Sequence, residues 1–210
     1  MNIALWLARS AERYPQQAAI AHGTEVWCNY AEFARRAART AHWLRAQGVQ
    51  AGDRVVLFMH NAPEYLPLMW GIWWCGAVAV PVNAKLHERE AAWIAGHSEA
   101  RLALVDKERA SGLQQALHEI KVTTQVQADH TFMEQAHGPQ LALQPREDDD
   151  PAWLFYTSGT TGRPKGVVLC ARQLRGCTQA YFGSVQSVQR GDTMLHPAPL
   201  SHGGGMYHLP

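Results

Sequence analysis

The stretch Tyr156-Thr157-Ser158-Gly159-Thr160-Thr161-Gly162-Arg163-Pro164-Lys165-Gly166 gathers hydroxyl groups, glycines and one lysine between two apolar segments. Hydroxyls donate to phosphate oxygens, and glycines let backbone N–H groups close around an anion. Lys165 adds a point charge, and the whole set suits a polyphosphate. The phosphate loop G-x-x-x-x-G-K-[ST], which opens a helix, does not fit, because Lys165 follows Pro164 and precedes Gly166. Residues 153–156 and 167–170 read as short buried strands, so the loop is expected to join two strands. On composition alone, an ordinary turn-rich hairpin connection is the alternative.

Histidines offer the other candidate chemistry. His202 sits in Pro199-Leu200-Ser201-His202-Gly203-Gly204-Gly205, where it reads on residue grounds as a histidine capping a glycine turn. His196, His202 and His208 recur every six residues, which puts no two on one helix face, and no cysteine lies close by. No metal site is therefore expected.

The elements that must carry these groups alternate along the chain. A helix over residues 2–14 precedes two short strands at 18–21 and 25–28, and a second helix runs from an Asn29 cap, with Glu32 in the capping-box position, to Gly48. A strand at 54–59 leads to a helix that Asn61 is expected to cap, with Glu64 three residues on, and that stops near Gly76. Pro67 is expected to kink that helix. Strands at 77–82, 101–105 and 122–126 alternate with helices at 88–97 and 111–119, and a helix at 171–188 and a strand at 192–199 follow the loop. Strand and helix in turn imply an α/β fold, a layered parallel sheet with helices on both faces. The expected division is residues 1–150, a first α/β subdomain with an N-terminal helix and hairpin, and residues 151–210, the phosphate loop and the start of a following α/β segment. Residues 130–150 read as a polar surface linker, and its acidic end Glu147-Asp148-Asp149-Asp150 as merely solvated.

Composition removes several classes of function. Net charge is +1 with 18% charged residues, so no footprint for nucleic acid or an anionic membrane is present. Arg35, Arg36, Arg39 and Arg45 space as one side of a helix and read as a solvated face. Residues 65–82 form an uncharged run of eighteen, but Pro67, Gly71, Gly76 and Pro81 break it into helix and strand rather than a membrane span. Trp70, Trp73 and Trp74 recur at helical spacing and are expected in the core. Cys28, Cys75, Cys170 and Cys177 show no paired spacing, and no secretion signal opens the chain, so a reducing cytoplasm is the expected compartment.

The string from Tyr156 to Gly166 resembles the signature [YF]-T-S-G-[ST]-T-G-x-P-K-G of the adenylate-forming superfamily, which includes acyl-CoA synthetases, the adenylation domains of peptide synthetases and beetle luciferase; every position is matched. Asn61-Ala62-Pro63-Glu64, Gly76-Ala77-Val78-Ala79-Val80-Pro81-Val82-Asn83, Glu90 and His97-Ser98-Glu99-Ala100 are similar to the family's N-terminal core segments, and Pro199 to Gly205 to its acyl-pocket segment. Cys170-Ala171 departs from the Ser-His of many relatives. The resemblance implies the large N-terminal domain of an adenylate-forming enzyme, in which Thr157, Ser158, Gly159, Thr160, Thr161, Gly162 and Lys165 grip the β- and γ-phosphates of ATP. It implies that His202 and Gly203 stand between acyl pocket and adenylate, and that ATP, Mg2+, coenzyme A and a small carboxylic acid, fatty or aromatic, are the partners.

Family members are much longer, and their magnesium glutamate, ribose aspartate, hinge and C-terminal lysine have no match here; the lysines of this chain are Lys85, Lys107, Lys121 and Lys165. The expectation is an N-terminal piece of an acid–thiol ligase, inactive alone. An amino-acid-activating domain and a non-catalytic nucleotide-binding or interaction module are the alternatives. An unfinished second layer would expose strand edges and apolar surface, giving disorder after about residue 150 or self-association.

Overall fold

The computed structural model describes residues 1–135, 138–157, 163–189 and 191–202. Helix α1 (Leu5–Arg13) precedes an antiparallel hairpin of β1 (Ala18–His22) and β2 (Glu25–Asn29), then α2 (Tyr30–Ala46). Strand and helix then alternate through β3 (Arg54–Phe58), α3 (Tyr65–Trp74), β4 (Val78–Pro81), α4 (Glu88–His97), β5 (Ala100–Val105), α5 (Ala110–Glu119) and β6 (Gln125–Gln127). After a long connection come β7 (Pro151–Thr157), β8 (Lys165–Cys170) and α6 (Ala171–Ser184).

Strands β3 to β8 form one sheet in the order β6-β5-β3-β4-β7-β8, parallel except for the β7–β8 pair. Side chains alternate between its faces, as the pleat requires. Val55, Leu57, Ala79, Leu102, Leu104 and Trp153 enter a core with α1, α2, α3 and the β1–β2 hairpin. Val56, Phe58, Val80, Ala103 and Val105 enter a second core with α4 and α5. Burial on both faces is why these strands read as continuous apolar runs. The sheet continues past residue 150, since Ala79 of β4 pairs with Trp153 of β7.

Trp70, Trp73 and Trp74 are buried as expected, and among the described residues no helix is long and apolar enough to cross a membrane. Pro67 does not kink α3: it is the third residue of the helix, in the first turn, where backbone N–H groups have no intrahelical acceptor. Gly71 lets α3 cross α2 closely. A Cβ there would lie 2.4 Å from Thr40 Cβ and 2.9 Å from the Ala37 carbonyl oxygen.

Several expectations about surfaces and boundaries are corrected. The arginines of α2 are a solvated face only in part: Arg35 is exposed and pairs with Glu32 at 2.7 Å, Arg36 pairs with Glu32 at 2.9 Å, and Arg39 is buried and donates to the Met133 carbonyl at 3.0 Å. Glu32 is thereby drawn away from the reciprocal half of a capping box, although its own N–H still donates to Asn29 Oδ1. Strand β6 starts at Gln125 rather than 122, because Val122 N–H closes the end of α5 on the Leu117 carbonyl. Helix α6 ends at Ser184, and residues 192–199 form no strand; Pro197 and Pro199 supply no ladder donors there.

Nor is the acidic run merely solvated. Asp148 accepts from Arg175 at 2.7 Å and from the Met1 amine at 2.7 Å, its carbonyl accepts from Arg172 N–H at 2.9 Å, and Asp149 accepts from Arg172 Nε at 2.8 Å. The run fastens the start of α6, and the described residues between 151 and 184 fold as hairpin and helix. Arg175 first, and the Met1 amine second, hold the Asp148 carboxyl at about 2, below its ordinary 3.8.

The folded value is the lower one, so this contribution to stability is complete above about pH 4 and is lost as pH falls towards about 2. Acid unfolding followed by circular dichroism is expected to fall through that interval in the wild type. Asp148→Asn should be less stable near neutral pH and flatter between about pH 4 and 2; an unchanged profile would contradict the assignment.

Candidate functional site

Because β3, β4, β5 and β7 are parallel, their carboxyl ends lie at one edge, where ligands of open α/β sheets bind. At that edge β7 turns back as β8, so the expected strand-to-strand loop is present. Tyr156 faces Gly166 and Thr157 faces Lys165 across the ladder. Thr157 and Lys165 are both exposed, and Lys165 makes no ion pair among the described residues. Ser158, Gly159, Thr160, Thr161 and Gly162 of the expected grip, and Gly203, lie outside the described residues.

The stem of the loop is fixed from below. Tyr156 Oη lies 2.7 Å from His97 Nδ1, the His97 ring stacks on Trp93 at 4.7 Å, and Trp93 meets Tyr156 edge to face at 6.2 Å. Partial burial pushes the Tyr156 phenol above its ordinary range, which keeps it protonated and able to donate. Gly166 lies against this ring: a Cβ would stand 3.3 Å from Tyr156 Cζ and 3.2 Å from Leu154 Cδ1.

His202 reaches the same edge by another route. Asn61 follows the carboxyl end of β3, and its Nδ2 donates to the Ala198 carbonyl at 2.9 Å while its Oδ1 accepts from Leu200 N–H at 2.7 Å. The expected helix cap is thus corrected: Glu64 is the N-cap of α3, without a side-chain cap bond, and the Asn61 carboxamide is committed to residues 198–200. His202 N–H donates to the Pro199 carbonyl at 3.0 Å, closing a turn in which Leu200 and Ser201 are buried and His202 is exposed. Strand β4 alone separates β3 from β7, so two strand spacings, about 10 Å, separate the lines carrying Asn61 and Thr157.

Asn61 and His97 stand in recognisable sequence segments, but their partners are not legible there. The short string Asn61-Ala62-Pro63-Glu64 imitates a capping box, and nothing local marks His97 as a partner of a tyrosine fifty-nine residues on. One cluster of ligand-type groups stands among the described residues, His60 with Asp106 and Glu108. Asp106 there already accepts from His60 N–H at 2.9 Å, contacts His60 Nδ1 at 2.6 Å and lies 3.8 Å from Arg109, whose charge opposes a bound cation. A cleft of about 330 Å³ lined by Asp53, Glu99, Arg101 and Thr124 opens at the opposite edge, where strands begin.

Sheet order, two-faced burial and the β7–β8 hairpin define the α/β architecture of the N-terminal domain of adenylate-forming enzymes. The chain belongs to the AMP-binding enzyme family, whose sequence model matches residues 7–209. It is 33% identical over 189 residues to a crotonobetaine/carnitine–CoA ligase of Citrobacter koseri, covering 83% of this chain and 36% of that protein. It is 32% identical over 208 residues to the long-chain-fatty-acid–CoA ligase FadD13 of Mycobacterium tuberculosis, covering 96% and 41%. The crystallised N-terminal domain of FACL13 from Mycobacterium tuberculosis superposes with a TM-score of 0.86 at 31% identity, over 99% of this chain and 54% of that one. The chain thus spans about two fifths of the length of these curated relatives.

Substituting Gly166→Ala sets a methyl 3.3 Å from Tyr156 Cζ, and because that ring is held by His97 and Trp93 and cannot easily give, the change is expected to cost about 1 kcal/mol net of the chain entropy that alanine saves. Urea denaturation read by tryptophan fluorescence measures it. Val167→Ala, at a neighbouring exposed position, should stay within about 0.5 kcal/mol; equal effects of the two would contradict the packing described.

Proposed function

We propose that this chain is the N-terminal, phosphate-gripping part of an ATP-dependent acid–thiol ligase, which activates a fatty or aromatic carboxylate as its acyl-adenylate and passes the acyl group to coenzyme A. The observation that carries this reading is the pairing of exposed Thr157 and Lys165 at the carboxyl edge, flanking a loop whose every position matches the family signature. The matched relatives named above are CoA ligases, which favours coenzyme A as acceptor.

Attack of a carboxylate on the α-phosphorus of ATP brings an anion to a polyanion and releases pyrophosphate. Such a step needs charge screening and in-line positioning more than acid or base catalysis. In this reading Lys165, the Thr157 hydroxyl and the Ser158, Thr160 and Thr161 hydroxyls, with the backbone N–H groups of Gly159 and Gly162, hold the β- and γ-phosphates. The Tyr156–His97–Trp93 stack keeps the stem rigid while they do so. His202 and Gly203 border the acyl side.

These donors fit the phosphates. Lys165 lacks an ion-pair partner among the described residues, so its ammonium can meet a phosphate oxygen, and a bound magnesium ion would supply further neutralisation of ATP. By the same reading the chain alone does not complete adenylation. Its partners are the acid, ATP and coenzyme A, and its compartment the reducing cytoplasm, in keeping with four unpaired cysteines among the described residues, three of them buried. Val167 and Val168 on the edge strand β8, with Phe182 on α6, are exposed and favour self-association of the isolated chain.

A hydrogen bond to a charged group is worth about 1.5–3 kcal/mol, so Lys165→Ala in the complete ligase is expected to lower acid-dependent ATP–pyrophosphate exchange by about tenfold to a hundredfold. Exchange at subsaturating ATP measures this. An unchanged rate would contradict the role of Lys165.

A further inference from the structure

We infer that Asn61 is a positioning residue: its carboxamide sets the turn that presents His202, and through it the acid side of the reaction. The inference rests on the ligase reading above. Both ends of one side chain are spent on one distant segment, Nδ2 on the Ala198 carbonyl and Oδ1 on Leu200 N–H, 137 and 139 residues away. A neighbouring β-strand would offer a donor and an acceptor to residues i and i+2 in the same way. Asn61 therefore acts as a one-residue strand, pairing a stretch whose own prolines at 197 and 199 keep it out of the sheet.

The clamp has a mechanical consequence. It grips the chain at Ala198, just before the Pro199–His202 turn, and at Leu200, inside it, where Leu200 is buried. Asn61 itself belongs to the loop between β3 and α3, at the edge where β7 delivers Thr157. The position of His202 relative to the phosphate loop is thereby referred to the parallel sheet through one carboxamide. Asn61 is exposed, so removing its side chain opens no cavity in either core.

Two measurements on Asn61→Ala test the inference. In the 210-residue chain, amide hydrogen exchange at Leu200 is expected to quicken about tenfold, the equivalent of one net hydrogen bond, with β3 and β5 amides unchanged. Asn61→Asp keeps the acceptor for Leu200 N–H but not the donor for Ala198, and should give an intermediate rate. In the complete ligase, Asn61→Ala is expected to raise KM for the carboxylate about tenfold while KM for ATP stays within about twofold.

Unchanged exchange at Leu200 would overturn the clamp. Faster exchange with an unchanged carboxylate KM, or with both KM values raised alike, would overturn the positioning role and leave the ligase reading standing. A wild-type enzyme without acid-dependent pyrophosphate exchange would overturn the ligase reading and the positioning role together, while the Leu200 measurement would still report whether the clamp exists.

Discussion

The placement of the β7–β8 hairpin depends on a tryptophan latch. Trp73 Nε1 donates to the Ala152 carbonyl at 2.8 Å, and its ring meets Trp153 edge to face at 6.5 Å. Both indoles are almost wholly buried. Strand β7 shares only the Ala79–Trp153 register pair with β4, so this latch supplies much of what fixes the hairpin to the parallel sheet. Direction follows from the pairing: a β7 parallel to β4 delivers Thr157 to the carboxyl edge, and an antiparallel one would send the loop to the opposite side.

Polar groups then hold what the latch has placed. The segment between β6 and β7 lies against α2 and α3, with Leu141 N–H donating to the Ala38 carbonyl and Trp74 Nε1 to the Leu141 carbonyl. Its acidic end secures α6, while Arg39 reaches Met133 from within α2. These bonds join residues far apart in the chain, and they turn a polar connection into a strap across one face of the sheet.

The alternating strands and helices of the parallel sheet were legible because each element carries its own period, and two-faced burial leaves an unmistakable apolar run in β3, β4 and β5. The candidate loop was legible because its chemistry is contiguous. What the sequence hid was long-range polar pairing. Asn61 has the composition of a cap and the function of a clamp, because residues 198–200 outbid the nearby helix N–H groups for its carboxamide. The arginines of α2 have the spacing of a surface face, and Arg39 among them is internal, bonded to Met133 of the segment at 131–133. The strand expected at 192–199 failed for a related reason: its hydrophobic residues lack a neighbouring strand, and Met194 and Leu195 stay exposed.

In the proposed function the chain is one part of an enzyme that splits ATP between its α- and β-phosphorus atoms to activate an acid. The most direct test is to incubate the complete ligase with ATP, coenzyme A and a panel of fatty and aromatic carboxylates, and to quantify the nucleotide product against acyl thioester. Formation of AMP and pyrophosphate in equal amounts with the thioester, and only with a suitable acid, is the predicted result. Formation of ADP and phosphate, or nucleotide turnover independent of any acid, would contradict it.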